Sequence, residues 1–199
     1  MRIDDRPVRI ASVAEALARH RIGYLSEDRK KEGLILLHPI RTNIAITIWR
    51  RIGKALGLLN GTMERQAAAP LAERLEIRTP SLEQTVGNLS GGNQQKVSLA
   101  KWLAANVDLM IIDEPTVGID IKTKAYIHEL IIDLADSGMT ILLITSDMPE
   151  MIALADRILV MHGFAVAGEF VNDHDYGTAS AKIIAAIHRA EDPTPETAT

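Results

Sequence analysis

The chain has 199 residues, 47% of them hydrophobic and 24% charged, with 4% aromatics, no cysteine and a formal net charge of −4. This length buries a continuous core and excludes a disulfide-stapled miniprotein, while the missing thiols exclude thiolate metal ligation and thiol catalysis. Scarce aromatics argue against base-stacking modules, so no nucleic-acid partner is expected. The charge is uneven, with 13 Lys+Arg against 7 Asp+Glu in residues 1–65 and 9 against 19 in the remainder. Both signs are mixed in both parts, so a solvated surface explains this as well as two lobes with different partners. The apolar runs Leu109–Ile112 and Ile141–Ile144 are too short to span a bilayer, and MRIDDRPVRI lacks the apolar stretch of a signal peptide. A cytosolic chain is expected.

In chain order, Ile22–Ser26 reads as a short strand delivering the polar run EDRKKEG at its carboxyl end. From Ile44 to Leu59, the apolar residues Ile48, Ile52, Ala55, Leu56 and Leu59 follow helical spacing, with Arg50, Arg51 and Lys54 off that stripe. One amphipathic helix is predicted there, and packing on the domain is the commoner role for it than membrane-surface binding. Glu64–Leu75 is a second helix, expected to kink or split at Pro70. A helix over Asn93–Ala105 precedes Asp108–Asp113, a strand too apolar to have a wet face. Then follow a helix over Ile121–Ala135 closed by Gly138, a buried strand over Thr140–Thr145, a helix over Met148–Ala155, and strands over Arg157–Met161 and Ala165–Phe170. This alternation predicts an α/β fold with a mostly parallel sheet covered on both faces. The tail, 191–199, has two prolines and no apolar face and is expected to be disordered.

Two strands end in acidic or hydroxyl residues, LMIIDEPT (109–116) and LLITSD (142–147). Ligands of open parallel sheets bind at the carboxyl ends of strands, so these residues are expected to share a crevice. Asp113 is suited to holding Mg²⁺ and Glu114 to polarising an attacking water, although a structural salt-bridge pair is an equal reading of the two acids. In Leu89-Ser-Gly-Gly-Asn-Gln-Gln-Lys96, adjacent glycines before a helix let the backbone approach a phosphate, with Ser90 adding a hydroxyl. The plainer alternative is a helix entry that Ser90 merely caps.

LSGGNQQKV, then LMIIDEPTVGID 20 residues after Leu89, then LLITSD, together resemble the nucleotide-binding domain of ABC transporters. The resemblance implies a P-loop NTPase-like fold with a helical signature subdomain at about 40–105 inside a domain spanning 1–190. It places the signature at Leu89, Ser90, Gly91, Gly92, Asn93 and Gln94, the Walker B segment at Leu109–Asp113, the catalytic base at Glu114 and the D-loop at Val117–Asp120. IGYLSEDRKKEGL and TSDMPEMIALADRILVMHGF further resemble the second ATPase half of importers for ribose, xylose, galactose and similar monosaccharides. The implied cofactors are ATP and Mg²⁺, the latter held by Asp113 and Glu27. The implied partners are a second ATPase half and a permease, with a periplasmic sugar-binding protein acting indirectly, on the inner face of the cell membrane.

The sequence departs from that pattern in three places. No G-x-x-x-x-G-K-[ST] P-loop is present: Gly53-Lys54 has Ile48 in place of the first glycine and Ala55 in place of the hydroxyl. The chain is therefore expected to begin inside the domain, with a partner supplying the P-loop of a composite site. The Q-loop glutamine falls on Glu27 and the switch histidine on Ser146, which has no imidazole. The six histidines lie elsewhere, without metal-binding spacing, and are read as surface or loop residues. Two other readings are an inactive remnant, whose missing central strand leaves neighbours without ladder partners, and a chromosome-maintenance ATPase lobe, which requires heptads that residues 1–88 lack.

Overall fold

The computed structural model describes residues 2–3, 5–53 and 59–191. The predicted helical positions Lys54, Ala55 and Leu56, and residues 192–199 of the tail, lie outside them. The chain divides into two compact units, residues 1–144 and 145–199.

The first unit opens with a two-residue antiparallel pair, β1 (Arg2–Ile3) and β2 (Arg6–Pro7), followed by α1 (Val13–His20). Helix α1 is absent from the sequence reading, although Ser12-Val-Ala-Glu15 carries a start signal: Ser12 Oγ accepts from Glu15 N, and Glu15 Oε2 accepts from Ala11 N. Strand β3 (Ile22–Leu25) follows, then a π-helical turn over Arg29–Gly33 that Asp28 caps.

The helical region departs from the single amphipathic helix predicted over Ile44–Leu59. It begins earlier, as α2 (Ile40–Ala45) behind Pro39, passes through a 3₁₀ turn (Ile46–Ile48) and resumes as α3 (Trp49–Ile52), ending at Gly53. The run Ile46-Thr47-Ile48 is β-branched throughout, and Thr47 Oγ1 donates to the Lys101 carbonyl at 2.7 Å. Poor local propensity and a distant carbonyl together tighten that turn. Helix α4 (Gly61–Arg74) is continuous through Pro70, against the expected kink or split. Pro70 and Gln66 are both exposed, which puts the carbonyl that the missing N–H leaves open on the solvent side of the helix. Helices α2 and α4 pack on each other and on α5 (Gly91–Ala105), burying Ile40, Ile44, Ala45, Ile48, Ala68 and Val97. Glu64, itself buried in this packing, accepts from Thr42 Oγ1 and Trp49 Nε1 and pairs with Arg41, which satisfies the charge.

Beyond α5, β4 (Leu109–Asp113), α6 (Ile121–Asp136) and β5 (Thr140–Ile144) complete the unit, with Gly138 at φ +96° reversing the chain after α6. The sheet is parallel in the order β3-β4-β5, with Leu25 beside Ile112 and Asp113 beside Ile144. As expected of its composition, β4 is the central strand, with Met110 and Ile112 fully buried. Strand β5, predicted buried, lies at the edge: Leu142 and Ile144 are 49% and 47% exposed. Periodicity reports how apolar a strand is, and not whether a neighbour covers it.

The second unit contains α7 (Met148–Leu154), an antiparallel hairpin of β6 (Arg157–His162) and β7 (Ala165–Val171), and α8 (Tyr176–Glu191), which the sequence reading omitted. Its core is Ile152, Ile158, Val160, Ala179, Ile183 and Ala186.

Candidate functional site

The parallel register brings the carboxyl ends of β3, β4 and β5 to one end of the sheet, where Ser26 and Glu27 leave β3 and Asp113 and Glu114 leave β4. Asp113 Oδ2 accepts a 2.8 Å hydrogen bond from Tyr24 Oη, and that bond to the carboxylate is the main cause holding the phenol above its ordinary range. Glu114 has φ +45°, a left-handed conformation costly for a non-glycine residue, and its N–H donates to the Ile144 carbonyl at 2.9 Å. Strained residues of this kind persist where the surrounding structure holds them, and they cluster at functional sites. Ser26 turns its hydroxyl onto Glu32 at 2.6 Å, which leaves the exposed Glu27 at the head of the turn.

Asp120 caps α6: Oδ1 accepts from Thr123 N at 3.0 Å and Oδ2 from Thr123 Oγ1 at 2.8 Å, which holds its carboxyl below the usual range. Ser146 falls in the second unit, within the Thr145–Asp147 turn ahead of α7. There Asp147 Oδ1 accepts from Glu150 N, and Thr145 Oγ1 donates to Glu150.

The six signature residues divide by what they touch. Leu89 is buried, and Gln94 turns inward, its amide donating to the carbonyls of Val86, Gly87 and Leu89. Asn93 Oδ1 accepts from Arg78 N, and its Nδ2 donates to Ser90 Oγ at 3.1 Å. Ser90 caps α5, as the plainer alternative holds, yet it remains exposed. The helix begins at Gly91, two residues ahead of the predicted start. A Cβ on Gly92 would stand 2.6 Å from Thr123 Cγ2, and one on Gly91 would stand 3.1 Å from the Gly118 carbonyl. Thr123 thus leaves no room for a side chain on Gly92, and Arg29 and Gly118 approach Gly91 closely. What α5 offers a ligand is the Ser90 hydroxyl, the first-turn amides, which precede the first intrahelical bond from Gln94 N to Ser90 O, and the positive end of a 15-residue helix.

Tyr24, Arg29 and Lys101 also belong to this neighbourhood and were not singled out in the sequence. Lys101 is buried on α5 and donates to the Gly33 carbonyl at 2.6 Å, fastening the π turn to the signature helix, and burial pushes its ammonium down to about 8. No local signal marks these residues, because each acts on a carbonyl or carboxylate more than 60 positions away.

A family profile described as ABC transporter matches residues 1–117, which contain the signature, β4 and Asp113–Glu114. The chain belongs to the ABC transporter family. Among ABC relatives, a xylose import ATP-binding protein of Thermoanaerobacter pseudethanolicus is 40% identical over 168 residues, covering 84% of this chain and 33% of that protein. An arabinose import ATP-binding protein of Pectobacterium atrosepticum is 42% identical over 170 residues, covering 85% and 33%. The chain thus spans about one third of the length of the curated relatives it matches. The dimeric post-hydrolysis structure of the ATP-binding cassette MJ0796 bound to ADP and Pi superimposes with a TM-score of 0.70 at 25% identity, covering 85% of this chain and 71% of the cassette. The expected α/β ABC ATPase fold is therefore the fold of this chain. Among the described residues, no helix is long and apolar enough to cross a membrane.

Proposed function

We propose that this chain acts as an ATP-binding subunit of an ABC-type sugar importer, within a composite site whose P-loop comes from a partner. The observation that carries the reading is the strained Glu114 directly after the central apolar strand, in the same unit as an exposed Ser90 heading a glycine-led helix. The import ATP-binding proteins named above support a sugar as the substrate class, and this reading takes a permease and a periplasmic sugar-binding protein as further partners. On this reading residues 1–190 form one cassette piece with a helical part at about 40–105, peripheral on the cytoplasmic face of the membrane.

Asp113 and Glu27 are hard oxygen donors at adjacent strand ends, suited to Mg²⁺, and the phenol of Tyr24 uses only one of the carboxylate's acceptor sites. When bound, Mg²⁺ would neutralise charge developing on the phosphates. Ser90 and the first-turn amides of α5 would hold the γ-phosphate that a partner presents, while Glu114, on the chain's own catalytic side, would accept the proton of an attacking water there. Asp120 would keep the 118–123 segment against Gly92. Ser146 would stand at the switch position, without the imidazole of the family pattern. The half-exposed Leu142 and Ile144 favour a second reading, a remnant without activity.

The test exploits the capping role of Ser90. Aspartate caps as well as serine does but adds a carboxylate facing the phosphate, whereas asparagine caps without charge. With the chain assembled with a P-loop-bearing ATPase half and permease, Ser90→Asp is expected to abolish partner-dependent ATP hydrolysis, and Ser90→Asn is expected to retain folding and part of the rate. Equal rates for Ser90→Asp and the parent chain would refute the composite site.

A further inference from the structure

Arg29 stands where three segments meet. Its Nη1 donates to the Val117 carbonyl at 3.0 Å and its Nη2 reaches the Gly118 carbonyl at 3.5 Å, in the turn that follows Glu114. The same Nη2 would lie 3.0 Å from a Cβ on Gly91, so the guanidinium packs directly on the first residue of α5. Arg29 itself begins the π turn that Lys101 fastens to α5, two residues after Glu27. Its Nε is buried with no hydrogen-bond partner, and among the described residues no carboxylate lies within ion-pair distance of it.

A half-buried cation set on two carbonyls is an expensive arrangement. Burial draws the guanidinium below its ordinary range, with Asp28 opposing. The gain is geometric: a planar fork spans two carbonyls and turns one Nη onto a residue without a Cβ, which an ammonium cannot do. Any displacement of the α5 start must break these contacts or carry the 117–118 turn with it. An anion at the first-turn amides would also attract the guanidinium and unload its carbonyl bonds.

We infer that Arg29 is a positioning residue that couples the phosphate-facing start of α5 to the turn carrying Glu114, so that nucleotide arriving at the signature side is registered on the chain's own catalytic side. This rests on the phosphate reading of Ser90 and Gly91 given above. Coupling of this kind is reciprocal: whatever loosens the turn also loosens the helix start.

The experiment compares Arg29→Gln, Arg29→Lys and a control, Lys30→Gln, which removes a neighbouring exposed charge. Amide hydrogen exchange is measured on the full chain alone. Both Arg29 variants are expected to raise exchange roughly fivefold or more at 116–120 and at 91–94 together, with the rest of α5 and α6 unchanged and Lys30→Gln like the parent. In the assembly with a P-loop-bearing half and permease, both are expected to lower kcat for ATP about tenfold, with KM within about twofold. A parent-like Arg29→Lys would mean that charge alone suffices and would overturn the inference. So would exchange rising in only one segment, or a KM effect at constant kcat. If Ser90→Asp leaves hydrolysis intact, the phosphate reading fails by itself, and the exchange pattern still decides whether Arg29 couples the two segments.

Discussion

Tyr24 and Asp113, on adjacent strands 89 residues apart in sequence, are joined by a 2.8 Å hydrogen bond from the phenol to Oδ2. The acid expected to hold magnesium is therefore oriented by a neutral donor, which fixes its direction without adding charge. Because the bond favours the protonated phenol, its contribution is present below the ordinary tyrosine range and lost as pH rises through the elevated folded value. Asp113→Ala is expected to return Tyr24 to its ordinary titration range, followed by the ¹³Cζ resonance of labelled tyrosine. An unchanged Tyr24 titration would show that burial, and not Asp113, raises it.

The contact of Gly92 with Thr123 gives a stability prediction. A methyl group on Gly92 would meet Thr123 Cγ2 at 2.6 Å and Oγ1 at 2.8 Å, well inside contact distance. Gly92→Ala is expected to destabilise the chain by about 1–3 kcal/mol in urea unfolding, as overpacking does. Thr123→Ala removes both offending atoms, so the double variant is expected to recover roughly 1 kcal/mol or more relative to additivity. Strict additivity would place the strain elsewhere.

Lys101 gives a pH signature. Its folded value of about 8 lies below the ordinary 10.5, so between those values the unfolded chain binds the extra proton and stability rises with pH. Below pH 8 the buried charge costs on the order of 3 kcal/mol, relieved progressively above it. Lys101→Met keeps the bulk and removes the titration. From pH 7.0 to 9.5 the parent chain is expected to become more stable relative to this variant by roughly 2 kcal/mol in denaturant unfolding. Parallel stability curves would contradict the assignment.

On β5, Thr140, Leu142 and Ile144 form an exposed row on a strand whose composition belongs to a covered parallel sheet. The chain alone is expected to bind an apolar-surface dye and to self-associate at micromolar concentrations. Replacing Leu142 and Ile144 together by Lys is expected to reduce the dye signal by roughly half while shifting the unfolding free energy by less than about 1 kcal/mol, since half-exposed side chains contribute little burial. Unaltered dye binding would locate the exposed apolar surface elsewhere.

Much of this architecture is legible in the sequence because its causes are local. Four apolar residues between Asp108 and Asp113 specify β4, and caps three residues from their targets set the starts of α5, α6 and α7 at Ser90, Asp120 and Asp147. The order of signature and acidic strand, with Glu114 just beyond, is likewise written in consecutive residues. The tertiary structure decided what depends on distant partners. It broke Ile40–Ile52 at Thr47, whose hydroxyl serves a carbonyl on α5, and it carried α4 through Pro70, which lies on the solvent side of the helix. It left β5 at an edge, and it brought Thr123 against Gly92, and Arg29 and Gly118 against Gly91, too closely for a side chain to enter without a shift. Tyr24 with Asp113, Arg29 with Val117 and Lys101 with Gly33 meet across 89, 88 and 68 residues. A contact closed by the fold imposes no period, cap or spacing on the chain, so composition and pattern carry no trace of it until the sheet and helices have assembled.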